Sequence, residues 1–296
     1  MTTQLITGTS CDIDVTFLDE NNVKWVPMIV VQGDKEYRDQ VDIDRDTLFE
    51  DQRAGRLYKT SHPSLATQKQ YFEEAVAEGK DILYISLSSG ISSEYECALM
   101  ALNEVDLKGS KCKIVDTKNG SAGQGLMLYY LIEAVKKDMD FEMLSEFADF
   151  LVEETRSMMN ILDMQHLYNG GRVSKLSFTA GKLMNIKPII GFSKEGKLEP
   201  FATARGNKNS AKKLIEIMKK EKHGDLFKDE LVTLVIGNAF EMADTIEESI
   251  LKEESTAQIK RSRINCGIAA HVGESMIGVG YLAKEIPTHI KEVLNK

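Results

Sequence analysis

Hydroxyl-bearing side chains stand in three short clusters, which we place at the ends of predicted strands. The clusters occupy residues 7–12, 59–64 and 86–93. Ligands of open parallel sheets bind outside the carboxyl ends of the strands, so these positions can form a binding site. Hydroxyl groups and the free N–H groups of a helix N-terminus are suited to a carboxylate or a phosphate. One such cluster alone is more often a helix cap or a turn, but three on one sheet edge favour a ligand site.

Two further clusters carry arginine, and another carries histidine. In Gly170-Gly171-Arg172 the double glycine allows a close backbone approach beside a guanidinium with a fixed fork of donors. Arg205 lies between a predicted strand and a basic helix predicted at residues 207–222, and His271 comes immediately after a predicted strand. The alternatives are a surface arginine, a solvated charged face and a structural histidine, respectively.

The local signatures of common enzyme classes are missing from the sequence. It contains no G-x-x-x-x-G-K-[ST] phosphate loop and no H-E-x-x-H zinc motif. Residues 90–94 resemble a nucleophile elbow around Ser92, but the final glycine of G-x-S-x-G is replaced by Glu94. These observations disfavour a P-loop kinase, a zinc hydrolase and a serine hydrolase.

Composition restricts the function further. The net charge of the 296-residue chain is −9, which disfavours general nucleic-acid binding because that affinity comes mainly from cations. The four cysteines form no C-x-x-C pair, so we expect neither a disulfide framework nor a thiolate zinc site. The N-terminus does not resemble a signal peptide, and no apolar run approaches the ~20 residues of a membrane span. The expectation is a cytoplasmic protein with no integral membrane segment.

Alternating strand and helix patterns predict the elements that position these clusters. Strands are predicted at residues 5–7, 26–31, 81–86 and 113–116, and helices at 91–103, 120–137 and 141–155. Strand–helix–strand order at this spacing indicates a parallel sheet flanked by helices. The fold class is therefore α/β.

The second half has a different pattern. Strands are predicted at 157–162, 186–192, 198–204, 231–236, 264–270 and 277–283, with helices at 207–222, 241–252 and the C-terminus. The turn at 194–197 suits a hairpin. Since a length of 296 residues suggests two domains at about 150 residues each, we predict an N-terminal α/β domain at 1–155 and a C-terminal α/β domain at 156–296.

Taken together, the motifs resemble the DegV family from the first strand to the last. The matching segments are Thr7-x-Thr9-Ser10-Cys11-Asp12, residues 58–64, residues 86–92, residues 115–118 followed by Ser121-x-Gly123-x-Gly125, residues 170–174, residues 185–189, and Arg205-Gly206 before a basic helix. Ordered matches over the whole chain are more specific than any one motif.

The resemblance implies a non-catalytic fatty-acid carrier of two α/β domains, which enclose the ligand between them. Such carriers are subunits of the bacterial fatty acid kinase, in which a separate dihydroxyacetone-kinase-like subunit phosphorylates the carboxylate with ATP. The acyl-phosphate would then serve an acyltransferase of phospholipid synthesis. No cofactor is implied beyond the bound long-chain fatty acid.

The same resemblance assigns roles to individual residues. Thr60 and Ser92 would hydrogen-bond the carboxylate with His271 beside it, Arg172 would lie at the headgroup mouth, and Arg205 would contact the kinase subunit. Ser61, next to Thr60, is included in the carboxylate-binding set. No metal ligand is expected.

Several positions depart from the family pattern. The family usually has Asp where Gly8 stands, and its Ser-Gly-Thr-Tyr is here Ser92-Ser93-Glu94-Tyr95. A Gln before proline is replaced by His62, and Glu274 lies in a segment that is usually Gly-Pro-Gly-like. These changes leave the loop geometry, the chain-length preference and the choice of partner open.

Two classes of function therefore compete. The first is a lipid carrier without a catalytic cycle. The second is an enzyme, either an esterase that uses Ser92 with His271 or a phosphotransferase in its own right. The absence of an elbow, a P-loop and a metal motif favours the carrier.

Overall fold

The computed structural model describes residues 2–161, 165–172, 186–222 and 227–296. The strands are β1 (Thr3–Gly8), β2 (Lys24–Val26), β3 (Ile29–Gln32), β4 (Lys35–Arg38), β5 (Lys59–Ser61), β6 (Asp81–Ser86), β7 (Cys112–Asp116), β8 (Thr155–Ile161), β9 (Ile186–Phe192), β10 (Leu198–Arg205), β11 (Leu231–Ile236), β12 (Gln258–Arg263) and β13 (Met276–Leu282). The helices are α1 (Val15–Glu20), α2 (Arg45–Arg53), α3 (Leu65–Ala77), α4 (Glu94–Leu102), α5 (Ala122–Lys136), α6 (Phe141–Glu154), α7 (Gln165–Gly170), α8 (Asn207–Glu221), α9 (Phe240–Glu253), α10 (Cys266–Val272) and α11 (Thr288–Leu294). No helix within these described ranges is long and apolar enough to cross a membrane.

The first sheet is fully parallel, in the order β2-β1-β6-β7. All six residues of β6 are buried, as expected for a strand covered by helices on both faces. One face packs against α3 and α4 through Ile6, Phe72 and Tyr84. The other packs against α5 and α6 through Leu83 and Phe147. The α/β fold class is confirmed by this arrangement.

The second sheet has six strands in the order β10-β9-β8-β13-β11-β12. Its pairs are antiparallel except β11 with β12. Helix α5 also packs on this sheet, and the Thr233 hydroxyl donates to the Ala122 carbonyl at 2.7 Å. One helix therefore covers both sheets, which fixes the second sheet against the first. The predicted domain boundary at residue 155 stays a prediction.

A small antiparallel sheet, β4-β3-β5, completes the fold and carries Thr60 opposite Val30. The sequence predicts one strand over residues 26–31, and this is wrong. Val26 ends β2 in the parallel sheet, and Ile29 begins β3 in the small sheet. Pro27 stands between them and has no N–H for a continuous ladder.

The strand predicted at residues 264–270 is also wrong, because helix α10 begins within this segment, at Cys266. The strand lies just before, at β12. The Asp39 carboxylate accepts the N–H groups of Cys266 and Gly267, both at 3.0 Å, and thereby caps the helix N-terminus. In contrast, the hairpin at 194–197 is confirmed, because the Ser193 N–H donates to the Lys197 carbonyl at 2.8 Å between β9 and β10.

Candidate ligand-binding site

A largely apolar cavity lies between the loops that follow β6 and β7 and the elements of the second half. Its volume is about 50 Å³, smaller than the roughly 300–1,000 Å³ of typical ligand pockets, so its lining side chains must move apart to admit a large ligand. The apolar lining residues are Met28, Leu87, Ile91, Gly120, Met159, Leu167, Phe192, Leu198, Gly267, Ile268 and Val272, and the polar ones are Thr60, Ser92, Ser121, Arg172 and His271. The predicted residues Thr60, Ser92, Arg172 and His271 thus share one cavity.

Thr60 and His271 are in direct contact. Thr60 lies on β5 and His271 in the last turn of α10, and the distance from Thr60 Oγ1 to His271 Nε2 is 2.7 Å. The pKa of His271 is lowered to about 4, because burial and the positive charge of Arg172 lower it by more than a hydrogen bond with the Gly170 backbone raises it. The imidazole is therefore neutral at neutral pH.

Ser92 contributes a second hydroxyl from the loop between β6 and α4. Its N–H donates to the Ser88 carbonyl at 3.1 Å, and its Oγ accepts the Glu94 N–H at 3.2 Å. The accepting capacity of this hydroxyl is thus partly used at the start of α4. Within the described part of the chain its O–H donates to no acceptor.

Arg172 and Ser61 lie at the entrance. An adjoining polar pocket is lined by Met28, Thr60, Ser61, His62, Ser92, Ser93 and Arg172. Arg172 is exposed, and its Nη1 donates to the Gly170 carbonyl at 2.8 Å. Ser61 is exposed and lines this pocket rather than the apolar cavity. We call this pocket the mouth of the cavity. Val173 and Ser174 of the predicted motif lie outside the described residues.

The sequence reasoning missed Asp39, which positions His271. Besides capping α10, its buried carboxylate accepts the Thr9 hydroxyl at 2.9 Å and the Gln40 amide at 2.8 Å. Burial raises the pKa of Asp39 and these hydrogen bonds lower it. The network connects the first loop of the chain to the helix that carries the histidine. No local pattern around Asp39 indicates a cap for a helix that begins 227 residues later.

Two of the family departures prove to be spatial neighbours. Glu94 is buried and accepts the Tyr84 hydroxyl and the Leu87 N–H, both at 3.2 Å. A Cβ atom on Gly8 would lie 2.9 Å from both carboxylate oxygens of Glu94. A side chain at position 8 therefore cannot coexist with Glu94 in this arrangement. Burial raises the pKa of Glu94 to about 7.

Comparison with known proteins decides the family. The protein-family model described as "Uncharacterised protein, DegV family" matches residues 2–284 of this chain. The chain belongs to the DegV family. It is 29% identical over 287 residues to a DegV domain-containing protein of Staphylococcus aureus, covering 96% of this chain and 100% of the relative.

Solved DegV structures have the same fold. A fatty acid binding DegV family protein of Streptococcus agalactiae is 25% identical, with a TM-score of 0.82 and coverage of 96% of this chain and 100% of that chain. The Fatty Acid Kinase (Fak) B3 protein of Streptococcus pneumoniae, loaded with linoleic acid, is 22% identical, with a TM-score of 0.85 and the same coverage. The resemblance to the DegV family is confirmed.

The remaining predicted residues of this DegV protein have different surroundings. Arg205 is exposed at the end of the edge strand β10, and it does not line the cavity. Among the described residues, His271 contacts Thr60 rather than Ser92, and no carboxylate hydrogen-bonds to it. The same ranges hold no group of three or more His, Cys, Asp or Glu side chains able to bind a metal ion.

Proposed function

We propose that this DegV protein binds a long-chain fatty acid in the apolar cavity, with the carboxylate at Thr60, Ser92 and His271. Arg172 and Ser61 line the mouth. The charge of Arg172 would attract the carboxylate, and both residues would lie close to the bound headgroup. The observation that carries the proposal is the combination of a mostly apolar cavity with the Thr60–His271 contact at its polar side. Two relatives support it: the S. agalactiae protein is described as fatty acid binding, and the S. pneumoniae protein is loaded with linoleic acid.

The hydrogen-bonding capacity of the site suits a carboxylate. Carboxylate binding at Thr60 requires the tautomer of neutral His271 with its proton on Nε2, because this N–H then donates to Thr60 Oγ1 and the Thr60 O–H is available to the carboxylate. Ser92 already accepts the Glu94 N–H, so its O–H is available as well. A buried carboxylate needs such donors, because an unpaired charge in an apolar cavity costs several kcal/mol or more.

The apolar lining would supply most of the affinity. Burial of an acyl chain is worth about 0.8 kcal/mol per methylene group, so about fifteen groups would contribute about 12 kcal/mol before the ordering costs of binding. Recognition of the carboxylate by two hydroxyl donors and a neutral imidazole would supply much of the remaining specificity.

We propose further that the protein presents the carboxylate to a separate ATP-dependent fatty acid kinase subunit. A carboxylate oxygen would attack the γ-phosphoryl group, giving acyl-phosphate and ADP, and an acyltransferase would consume the acyl-phosphate. The name of the S. pneumoniae relative supports a kinase partner. Arg205 and the exposed lysines Lys208, Lys212 and Lys213 form a basic surface on a chain of net charge −9, suited to an acidic or phosphate-bearing partner.

The ligand is tested by native mass spectrometry of freshly purified protein, followed by binding measurements. We expect co-purified long-chain fatty acid, and we expect Ser92→Ala to weaken binding by about 1–3 kcal/mol because a buried acceptor loses a donor. Ser249→Ala is the matched control with unchanged binding, because Ser249 is a half-buried residue on α9 whose hydroxyl donates to the Thr245 carbonyl and which does not line the cavity. Absence of any bound fatty acid, together with no measurable affinity, would exclude the proposal.

The partner is tested with Arg205→Ala. We expect unchanged fatty-acid affinity and strongly reduced acyl-phosphate formation with the kinase subunit and ATP. Lys260→Ala is the matched control, because Lys260 is exposed on β12 at the opposite edge of the same sheet. Normal turnover by Arg205→Ala, or loss of its lipid binding, would show that Arg205 has a different role.

A further inference from the structure

The cavity borders two surface depressions, and they differ in chemistry. The first is the polar mouth, which shares Thr60, Ser92 and Arg172 with the cavity. The second is a surface groove, whose lining includes Lys118, Ser157, Lys194 and Phe201. Within the described residues, Phe192 alone lines both the cavity and the groove.

Phe192 does not line the mouth, and none of the polar residues of the mouth lines the groove. The groove therefore meets the cavity at a boundary separate from the carboxylate end. We propose that the Phe192 ring closes the cavity at this boundary and thereby sets the longest acyl chain that fits. This inference rests on the proposed function, since it assigns the methyl end of the same ligand.

Local geometry explains why the ring stands there. Phe192 is the last residue of β9, and side chains alternate along a strand, so it shares the sheet face of buried Ile190. Both pack in the apolar cluster around the cavity, whereas Ile189 packs in the cluster on the other face. The ring is half-buried, with the cavity and the groove both in contact with it.

The Phe192 ring lies beside Gly120, which has no side chain. A methyl group at position 120 would lie 3.5 Å from Phe192 Cζ and 2.5 Å from Leu87 Cδ1. It would therefore occupy cavity volume beside the ring. The backbone of Gly120 is not in the left-handed region, so alanine fits the local conformation. Phe192 and Gly120 thus allow changes of cavity length in opposite directions.

The test is the affinity of a series of saturated fatty acids, from lauric to behenic acid, for wild type and variants. Each methylene that enters an apolar site raises affinity about fourfold, so the wild-type affinity rises with chain length until the methyl end meets Phe192. We expect the optimum of Phe192→Ala to move to acids at least two methylenes longer, a relative gain of about tenfold or more for those acids. We expect the optimum of Gly120→Ala to move to shorter acids.

Phe201→Ala is the matched control, because Phe201 is 41% exposed, lines the groove and does not line the cavity. It should keep the wild-type optimum. An unchanged optimum in folded Phe192→Ala overturns the inference, and if that variant does not fold, Phe192→Leu decides in the same way with a smaller shift. If wild type binds no fatty acid, the proposed function falls as well. If wild type binds and only the Phe192 variants lack a shift, this inference alone is wrong.

Discussion

Replacement of His271 should change how stability depends on pH. Burial holds the pKa of His271 at about 4 in the folded chain, against an ordinary value of 6.5. Between pH 6.5 and about 4, His271 binds a proton in the unfolded chain but not in the folded chain. Folding stability is therefore lost as pH falls, by about 1.4 kcal/mol per pH unit. The full loss, reached near the folded pKa, is about 3 kcal/mol.

The carboxyl group of Glu94 contributes with the opposite sign. Its pKa is raised to about 7 in the folded chain, so the folded chain binds a proton between pH 7 and the ordinary value near 4.5 that the unfolded chain does not. This contribution favours the folded state as pH falls and offsets part of the His271 effect. The wild-type curve alone cannot separate the two groups.

The separation comes from a pair of variants. Urea unfolding at pH 7 and pH 5 should show that wild type loses about 2 kcal/mol more than His271→Gln over this interval. Glutamine keeps a polar group near Thr60 and does not titrate. Ser249→Ala on α9 is the control, because a hydroxyl does not titrate in this range, and the pH dependence of this variant should follow wild type. Equal losses in wild type and His271→Gln would refute the reasoning, since His271 would then contribute nothing to the pH dependence.

Two further predictions concern buried charges. Asp39→Asn should lower the free energy of unfolding by about 1–3 kcal/mol, because the amide nitrogen cannot accept an N–H of α10, and it should weaken fatty-acid binding through His271; denaturant unfolding and the binding assay check both effects. The buried Lys222 ammonium lies 2.5 Å from the carboxylate of Glu230. Lys222→Met should therefore lower the free energy of unfolding by about 3–5 kcal/mol, because it leaves this carboxylate without its partner. The double variant with Glu230→Gln should recover part of this loss in the same unfolding measurement, and no recovery would contradict the assignment.

The parallel sheet was predictable because its strands are short apolar runs followed by turn residues. In β1 and β6 every residue except Thr3 is buried, so local hydrophobicity matches the tertiary environment. The loops after β6 and β7 then supply Ser92 and Gly120 to the cavity. The rule for ligands at strand ends predicted the cluster at 86–93, which contributes Ser92 to the cavity, without knowledge of the other half.

The opposite side of the site was not predictable from local patterns. Residues 264–270 are apolar enough for a buried strand, and they become helical where Asp39, distant in sequence, accepts the first N–H groups of α10. Thr60 and His271 are 211 residues apart and meet only because β5 and α10 pack together. Their joint role was inferred from the family resemblance.

The pairing of Gly8 with Glu94 shows why single positions are misleading. Each position alone is a departure that puts the loop geometry in doubt. In the structure the Glu94 carboxylate fills the space that a side chain at position 8 would need, and it accepts the Leu87 N–H at the start of the cavity loop. The two departures therefore form one compensated change. The loop that carries Ser92 keeps its support through Glu94.

The electrostatics of the site bear on whether it stores or presents its ligand. No lysine lines the cavity within the described residues, His271 is neutral at neutral pH, and Arg172 is exposed at the mouth. A carboxylate held at Thr60 and Ser92 would thus be solvated by hydroxyl donors without a buried counter-charge. A fixed cation would lower the basicity of the carboxylate oxygens and hold them more tightly. Hydroxyl donors leave these oxygens nucleophilic, as attack on a γ-phosphoryl group requires. The same affinity can come from the apolar chain, so the headgroup site has no need of a strong ion pair.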